Sequence, residues 1–335
     1  MKRWIYWLGI LLSLLFLYLA IRGLDLNNVW LSMRTANPLW FIPGLGLYFL
    51  GVLLRSFRWS LLLKNKYTVG SRELFPSICI GYLGNNVFPA RAGEFLRAYH
   101  LKEKQQVPFS TSLASIIVER IFDGLVMIIF ILIGLPFFLR TISGDDPSNL
   151  IQWILGLGSL LFITAFLVVI LFAIFPQKTR RIMDKIFLRV LPPKWHQAYQ
   201  NILQRFLDGV ASLQSITQIA SIMLLSIAIW LLETGLYWSV QQALGLHIPF
   251  TTLLLLNGAL NLIAVVPSAP GYIGVFDAPG ISLLSATGMV ADIAAAYILT
   301  LHAILWLPIT VVGFYFFLRE GLEWSQIRSR QQGDE

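Results

Sequence analysis

Charge is what this sequence has least of. Only 13% of its 335 residues are Asp, Glu, Lys or Arg, about half the roughly 25% that a water-facing globular surface carries. Cysteine is nearly absent: Cys79 stands alone, so no intrachain disulfide can form, and four scattered histidines provide no zinc-binding spacing. No Asp-x-Asp metal motif occurs, and the loops carry no Gly-rich nucleotide cradle. These gaps exclude soluble enzymes, DNA-binding domains and disordered chains, and no cofactor or metal is expected. What fills the chain instead is 57% hydrophobic residues, with 11 Trp, 11 Tyr and 23 Phe and a mean hydropathy of +0.72. Aromatics in that number fit the interfacial belts of a multi-span membrane protein.

A membrane-crossing helix needs about 20 mostly apolar residues. Six stretches qualify: Trp4–Ile21, Leu39–Leu54, Ile117–Leu139, Ile151–Phe175, Ile216–Val240 and Ile293–Leu318. The first begins with Lys2 and Arg3 but has no small-residue cleavage site before Arg22, so it reads as a retained anchor. Two further apolar stretches, Leu74–Ala92 and Leu253–Leu284, are interrupted by Pro and Gly, which break helices. Irregular backbone is tolerated at membrane depth only inside protein or along a polar cavity. Both stretches therefore read as re-entrant hairpins, with kinked ordinary spans as the alternative.

With a cytoplasmic N-terminus and both hairpins returning to their own side, 21 of the 25 Lys and Arg fall on the cytoplasmic face. Only Arg22, Arg34 and Arg140 fall outside, and Arg120 lies in a span. That bias satisfies the positive-inside rule and places both termini in the cytoplasm of a multi-pass cell-membrane protein. The net charge of +8 then faces anionic lipid headgroups, and no nucleic-acid partner is implied.

The order span, span, hairpin, span occurs twice, with opposite charge bias. Trp59 and Ser60 precede Pro89 as Trp238 and Ser239 precede Pro267, and a Gly follows each Pro four residues on, at Gly93 and Gly271. The expected fold class is all-α: about six transmembrane helices plus two re-entrant hairpins in an inverted 3+3 repeat. One membrane domain, 1–335, would hold a first repeat at 1–140 and a second at 150–318. Within the second half, 176–215 reads as a cytoplasmic amphipathic segment, with Arg180, Arg181, Lys185, Arg189 and Lys194 among Ile182, Met183, Ile186, Phe187 and Leu188. Inverted repeats with broken helices place substrate sites near the midplane.

Ionisable groups at membrane depth are rare and usually functional. Arg91, Glu94 and Arg97 follow the first tip, and the two arginines could hold a phosphate; the alternative is an interfacial salt-bridge cluster. Glu119 and Asp123, four apart, share a helix face, and Arg120 lies three from Asp123; they read either as a self-neutralised trio or as acids that position Arg91 or Arg97. Glu233 has no basic neighbour in sequence and reads as cavity-lining, or else as paired across helices. Asp277 follows the second tip and is the counterpart of Glu94. His302, which aligns near Arg120 or Glu119, reads as a satisfied packing residue, with a relay as the alternative, and Asp145 and Asp146 read as an exposed turn.

Three motifs recur in order. The first is Asn86-x-x-Pro89-Ala-Arg91-Ala-Gly93-Glu94-x-x-Arg97, the second Glu119-Arg120-x-x-Asp123, and the third Pro267-x-x-Pro270-Gly271-x-x-Gly274. With them the sequence resembles, over nearly its whole length, the flippase-like family of the lysylphosphatidylglycerol synthase transmembrane region. The resemblance implies a stand-alone membrane domain, since the sequence runs only about 17 residues past the last span and shows no synthase domain. It implies translocation of an anionic or phosphate-containing lipid: a phospholipid, an aminoacyl-phospholipid or a polyprenyl-phosphate-linked lipid. The partners would be membrane lipids and a separate lipid-modifying enzyme. A membrane-embedded glycosyl- or acyltransferase and an ion-coupled small-anion transporter are the alternatives.

Overall fold

A computed structural model describes residues 15–18, 22–64, 66–88, 92–143, 164, 176–190, 192–197, 199–200, 215–264 and 269–321. Every regular element among them is helical. The expected spans Trp4–Ile21 (except for one turn at 15–18) and Ile151–Phe175 lie outside the described residues, as do Asp145, Asp146 and most of 201–215.

The short helix α1, Leu26–Arg34, starts at Asp25, whose carboxylate accepts the amides of Asn27 and Asn28 at 2.9 and 3.3 Å. Asn37 caps a 3-10 turn that feeds α2, Phe41–Leu63. Then come α3, Ser71–Val87, α4, Gly93–Gln105, and the 35-residue α5, Phe109–Ser143. Helix α6, Pro176–Val190, falls in the expected amphipathic segment. Ser215 caps α7, Ile216–Ala243, which is followed by α8, Phe250–Ile263, α9, Asp277–Ala286, and α10, Ala291–Arg319.

Among the described residues, four helices are long and apolar enough to cross a membrane: Pro38–Leu63, Phe109–Ile142, Ile216–Ala243 and Ala291–Arg319. The second expected span, Leu39–Leu54, ends nine residues too early. Helix α2 runs on to Leu63 and takes Arg55 and Arg58 into the interior, where both are buried. Those two arginines were counted among the loop charges; they belong to the core. The first hairpin is also longer than Leu74–Ala92, because its return limb is α4. At 1.5 Å per residue, α3, α4, α8 and α9 measure about 15–25 Å, short of the roughly 30 Å apolar layer.

Polarity is inverted relative to a soluble protein. Ile42, Leu224 and Val311 face outward, while Arg58, Glu119, Asp123 and Asp277 lie inside beside Trp59, Tyr237 and Tyr297. Helix α2 packs along α7, α3 along α10, α8 along α5, α4 on α5, and α9 on α10. Exchanging α2–α5 for α7–α10 maps this set onto itself: α3 on α10 becomes α8 on α5, and α4 on α5 becomes α9 on α10. Two exceptions stand out: α3 and α4 form a tight pair whereas α8 and α9 scarcely touch, and α5 packs on α7 whereas α10 barely meets α2. Close approach of helices depends on glycine, as two positions show. A Cβ at Gly93 would overlap the Gly81 carbonyl oxygen of α3, and one at Gly313 would overlap the Cys79 carbonyl oxygen.

Candidate functional site

The first hairpin brings its charges inward through helical spacing. Glu94 and Arg97 lie about one turn apart on α4, as do Arg55 and Arg58 on α2, while on α5 both Glu119 and Arg120 lie about one turn before Asp123, at i,i+4 and i,i+3. The faces converge. Arg97 donates to both oxygens of Glu119, at 3.2 and 2.9 Å, and its guanidinium lies 3.6 Å over the Trp59 ring. Arg58 forks onto Asp123 at 2.6 and 3.3 Å, reaches Glu119 Oε1 at 3.0 Å, and donates to Ser226 Oγ at 2.6 Å. Trp230 on α7 donates its indole N–H to Asp123 Oδ1 at 2.8 Å. Trp59 donates to Ser115 Oγ at 2.8 Å, fixing the plane on which Arg97 rests.

The cluster reaches into the second half through Glu233 on α7. Its Oε2 lies 3.1 Å from Arg55, and Arg55 stacks 4.6 Å over Trp230. Asn261 on α8 leans on Glu233 Oε1 at 3.4 Å and on Asn257 at 2.7 Å, while Asn257 donates to Thr234. Sequence favoured Glu233 as a cavity-lining acid. It is instead paired across helices, with a residue 178 positions away.

Four guanidiniums and four carboxylates thus face one another. Burying charge is costly unless it is paired and hydrogen-bonded, and here the count balances. Arg120 is the member at the edge. Its side chain is 34% exposed and lies 3.2 Å from Glu94, itself 24% exposed, and 3.4 Å from Asp123. Charge-assisted pairs of this kind are roughly twice as strong as neutral hydrogen bonds, yet an anion entering at Arg120 meets the most exposed cation of the cluster.

The hairpin tips are tied by other candidates. Asn85 Oδ1 accepts the Gly93 amide at 3.0 Å. Asn86 donates to Thr310 Oγ1 on α10 at 2.7 Å, docking the first hairpin on the last span. In the second hairpin, Asp277 Oδ2 accepts the Gly274 amide at 2.8 Å, and Pro270 opens the 3-10 turn that carries Gly271. Asp277 Oδ1 lies 2.7 Å from Nδ1 of His302, and His302 Nε2 lies 2.8 Å from the Gly271 carbonyl oxygen. His302 is therefore a polar partner of the tip and not a packing residue. Both α4 and α9 send an acid from their first turn to the long helix that follows: Glu94 to Arg120, and Asp277 to His302. Pro89, Arg91 and Pro267 lie outside the described residues.

Arg55, Arg58, Trp59, Trp230 and Asn261 are site residues that the sequence reading missed. The available signal was two arginines three apart in an otherwise apolar helix. Among the described residues no group of three or more His, Cys, Asp or Glu side chains could hold a metal ion.

This geometry sits in a chain whose residues 6–313 match the family described as the lysylphosphatidylglycerol synthase TM region, and the protein belongs to that family. Among its relatives is a UPF0104 membrane protein of Pyrococcus horikoshii, 23% identical over 93% of this chain and 95% of that one. A UPF0104 membrane protein of Methanothermobacter thermautotrophicus is 24% identical over 79% of this chain and 80% of its own length. Glycosyltransferase AglD of Haloferax volcanii is 26% identical over 91% of this chain but 52% of its own length, so the chain spans about half of that relative. No solved structure matches the sequence.

Proposed function

We propose that this member of the family moves an anionic or phosphate-bearing lipid between the leaflets of the cell membrane, with both termini in the cytoplasm. Its two halves, 1–140 and 150–318, act as inverted repeats. The exchange symmetry of the helix contacts and the matched pairs Glu94 with Arg120 and Asp277 with His302 support that architecture. The observation that carries the reading is the neutral cluster of eight charged side chains packed between α2, α4, α5 and α7, open at Arg120. An apolar pairing would hold four helices together at less desolvation cost, whereas exchangeable ion pairs provide partners for a passing headgroup.

In this reading a lipid phosphate reaches Arg120 first and displaces Glu94. Arg97, freed in turn from Glu119, receives it deeper while Trp59 keeps the guanidinium plane fixed. Arg91, three residues before Glu94, is proposed as a further phosphate ligand, and Glu94, once displaced from Arg120, faces any cationic or sugar portion. Proteoliposomes carrying fluorescent phosphatidylglycerol, phosphatidylethanolamine or a labelled polyprenyl phosphate, quenched from outside, test it. Wild type should expose inner-leaflet label. Arg120→Ala should slow this about tenfold or more, the worth of one charge-assisted hydrogen bond. No movement of any of these lipids overturns the proposal.

A second reading has support in the name of one relative, glycosyltransferase AglD: transfer of a sugar from or to a membrane lipid. Product formed by the purified protein from a lipid-linked sugar would favour it.

A further inference from the structure

His302 sits between two acceptors. Its Nε2 is 2.8 Å from the Gly271 carbonyl oxygen, which can only accept, so that nitrogen carries a hydrogen. Its Nδ1 is 2.7 Å from Asp277 Oδ1. Two lone pairs cannot face each other at that distance, so a hydrogen lies there as well, on the ring or on the carboxyl. Either way the pair holds one proton more than a neutral imidazole and a carboxylate would.

That proton sits at the joint of the second tip. Asp277 Oδ2 binds the Gly274 amide and His302 binds the Gly271 carbonyl, so the turn 270–274 is clasped at both ends by the same pair. Phe276 lies against the imidazole, with ring centroids 4.8 Å apart, and Trp306 abuts Gly271 one turn along α10. The helices packed on α10 bring few other ionisable groups. Helix α3 brings Arg72 and Glu73 at its first turn and Cys79 and Tyr82 further along, α7 brings Glu233 and Tyr237, and α1 brings Arg34, with Asp25 before it; Asp292 lies about 15 Å away along α10 itself. Asp277 is the ionisable side chain that acts on the imidazole.

We propose that the Asp277–His302 pair is a proton-binding site: it takes up one proton when the 270–274 tip docks and gives it up when the tip lifts, which couples lipid movement to protons. Loss of the proton sets a lone pair against either the Gly271 carbonyl or the Asp277 carboxylate, and the clasp opens. The site stands on its own geometry; the coupling rests on the lipid-moving function proposed above.

The test has two arms. In the first, full-length protein labelled with 15N-histidine in lipid nanodiscs is titrated by NMR, with His302→Gln assigning the signal. Infrared difference spectra against Asp277→Asn report the carboxyl. At neutral pH either a doubly protonated His302 or a protonated Asp277 is expected, with that proton lost on raising the pH. A neutral ring beside an ionised carboxylate at neutral pH overturns the site. In the second arm, the flipping rate in proteoliposomes is read against pH. One linked proton gives up to about tenfold per pH unit, and His302→Gln, which keeps a donor for Gly271, should flatten the profile. Titration of the pair with a pH-independent rate overturns the coupling. Titration with no lipid movement refutes the lipid function and leaves the proton site standing.

Discussion

Glu119 closes both prongs of the Arg97 guanidinium, at 2.9 and 3.2 Å, and its Oε1 also lies 3.0 Å from Arg58. One carboxylate on α5 therefore neutralises cations from two other helices, and any anion that displaces it exposes both.

Removing that carboxylate should be costly. Glu119→Ala leaves Arg97 and part of Arg58 buried without a counter-charge, and breaking such a pair costs about 3–5 kcal/mol. The thermal unfolding midpoint in detergent should fall sharply, and an unchanged midpoint would show that water or another acid already compensates the arginines.

Structural and functional roles of the cluster separate in a double variant. Replacing a whole buried ion pair with apolar side chains of similar size is often neutral or stabilising. Arg97→Met with Glu119→Met should therefore recover much of the stability lost in Glu119→Ala, while lipid movement stays lost. Recovery of both would mean that this pair only holds helices together.

Gly93→Ala should part the first hairpin, because the new Cβ overlaps the Gly81 carbonyl oxygen. Cys79 on α3 serves as the reporter: it is the single cysteine, fully buried, with its carbonyl oxygen against Gly313 of α10, and a shift of α3 should uncover it. Wild type should resist maleimide labelling in nanodiscs, and Gly93→Ala should react. Equal resistance in both would mean that the backbone shifts to admit the methyl group.

The Asn86–Thr310 hydrogen bond, at 2.7 Å, predicts a measurable coupling between hairpin and span. Asn86→Ala and Thr310→Val should each cost about 1 kcal/mol, and the double variant should cost no more than the larger single loss. Additive losses would show that the two side chains act apart.

The broken helices and most charged members of the site were legible in the sequence, because Pro and Gly mark the tips and isolated acids in apolar runs stand out. Arg55 and Arg58 were not. They border the basic run ending at Lys66, and a span reader stops at the first charge. What keeps them inside is neutralisation by Asp123, Glu119 and Glu233, residues 61 to 178 positions away. His302 was missed for the same reason: its polar partners are an acid and a backbone carbonyl 25 and 31 residues earlier. Single-residue reading prices each charge alone, whereas the fold prices it with its partner.

The pairing of Arg55 with Glu233 also sets a timetable for synthesis. The two residues are 178 positions apart, and a ribosome adding about 5–20 residues per second needs roughly 10–35 s to cover that gap. Through that interval Arg55 belongs to a helix whose permanent counter-ion does not yet exist. The nascent chain must keep α2 near the membrane surface, or shielded by the insertion machinery, until α7 arrives.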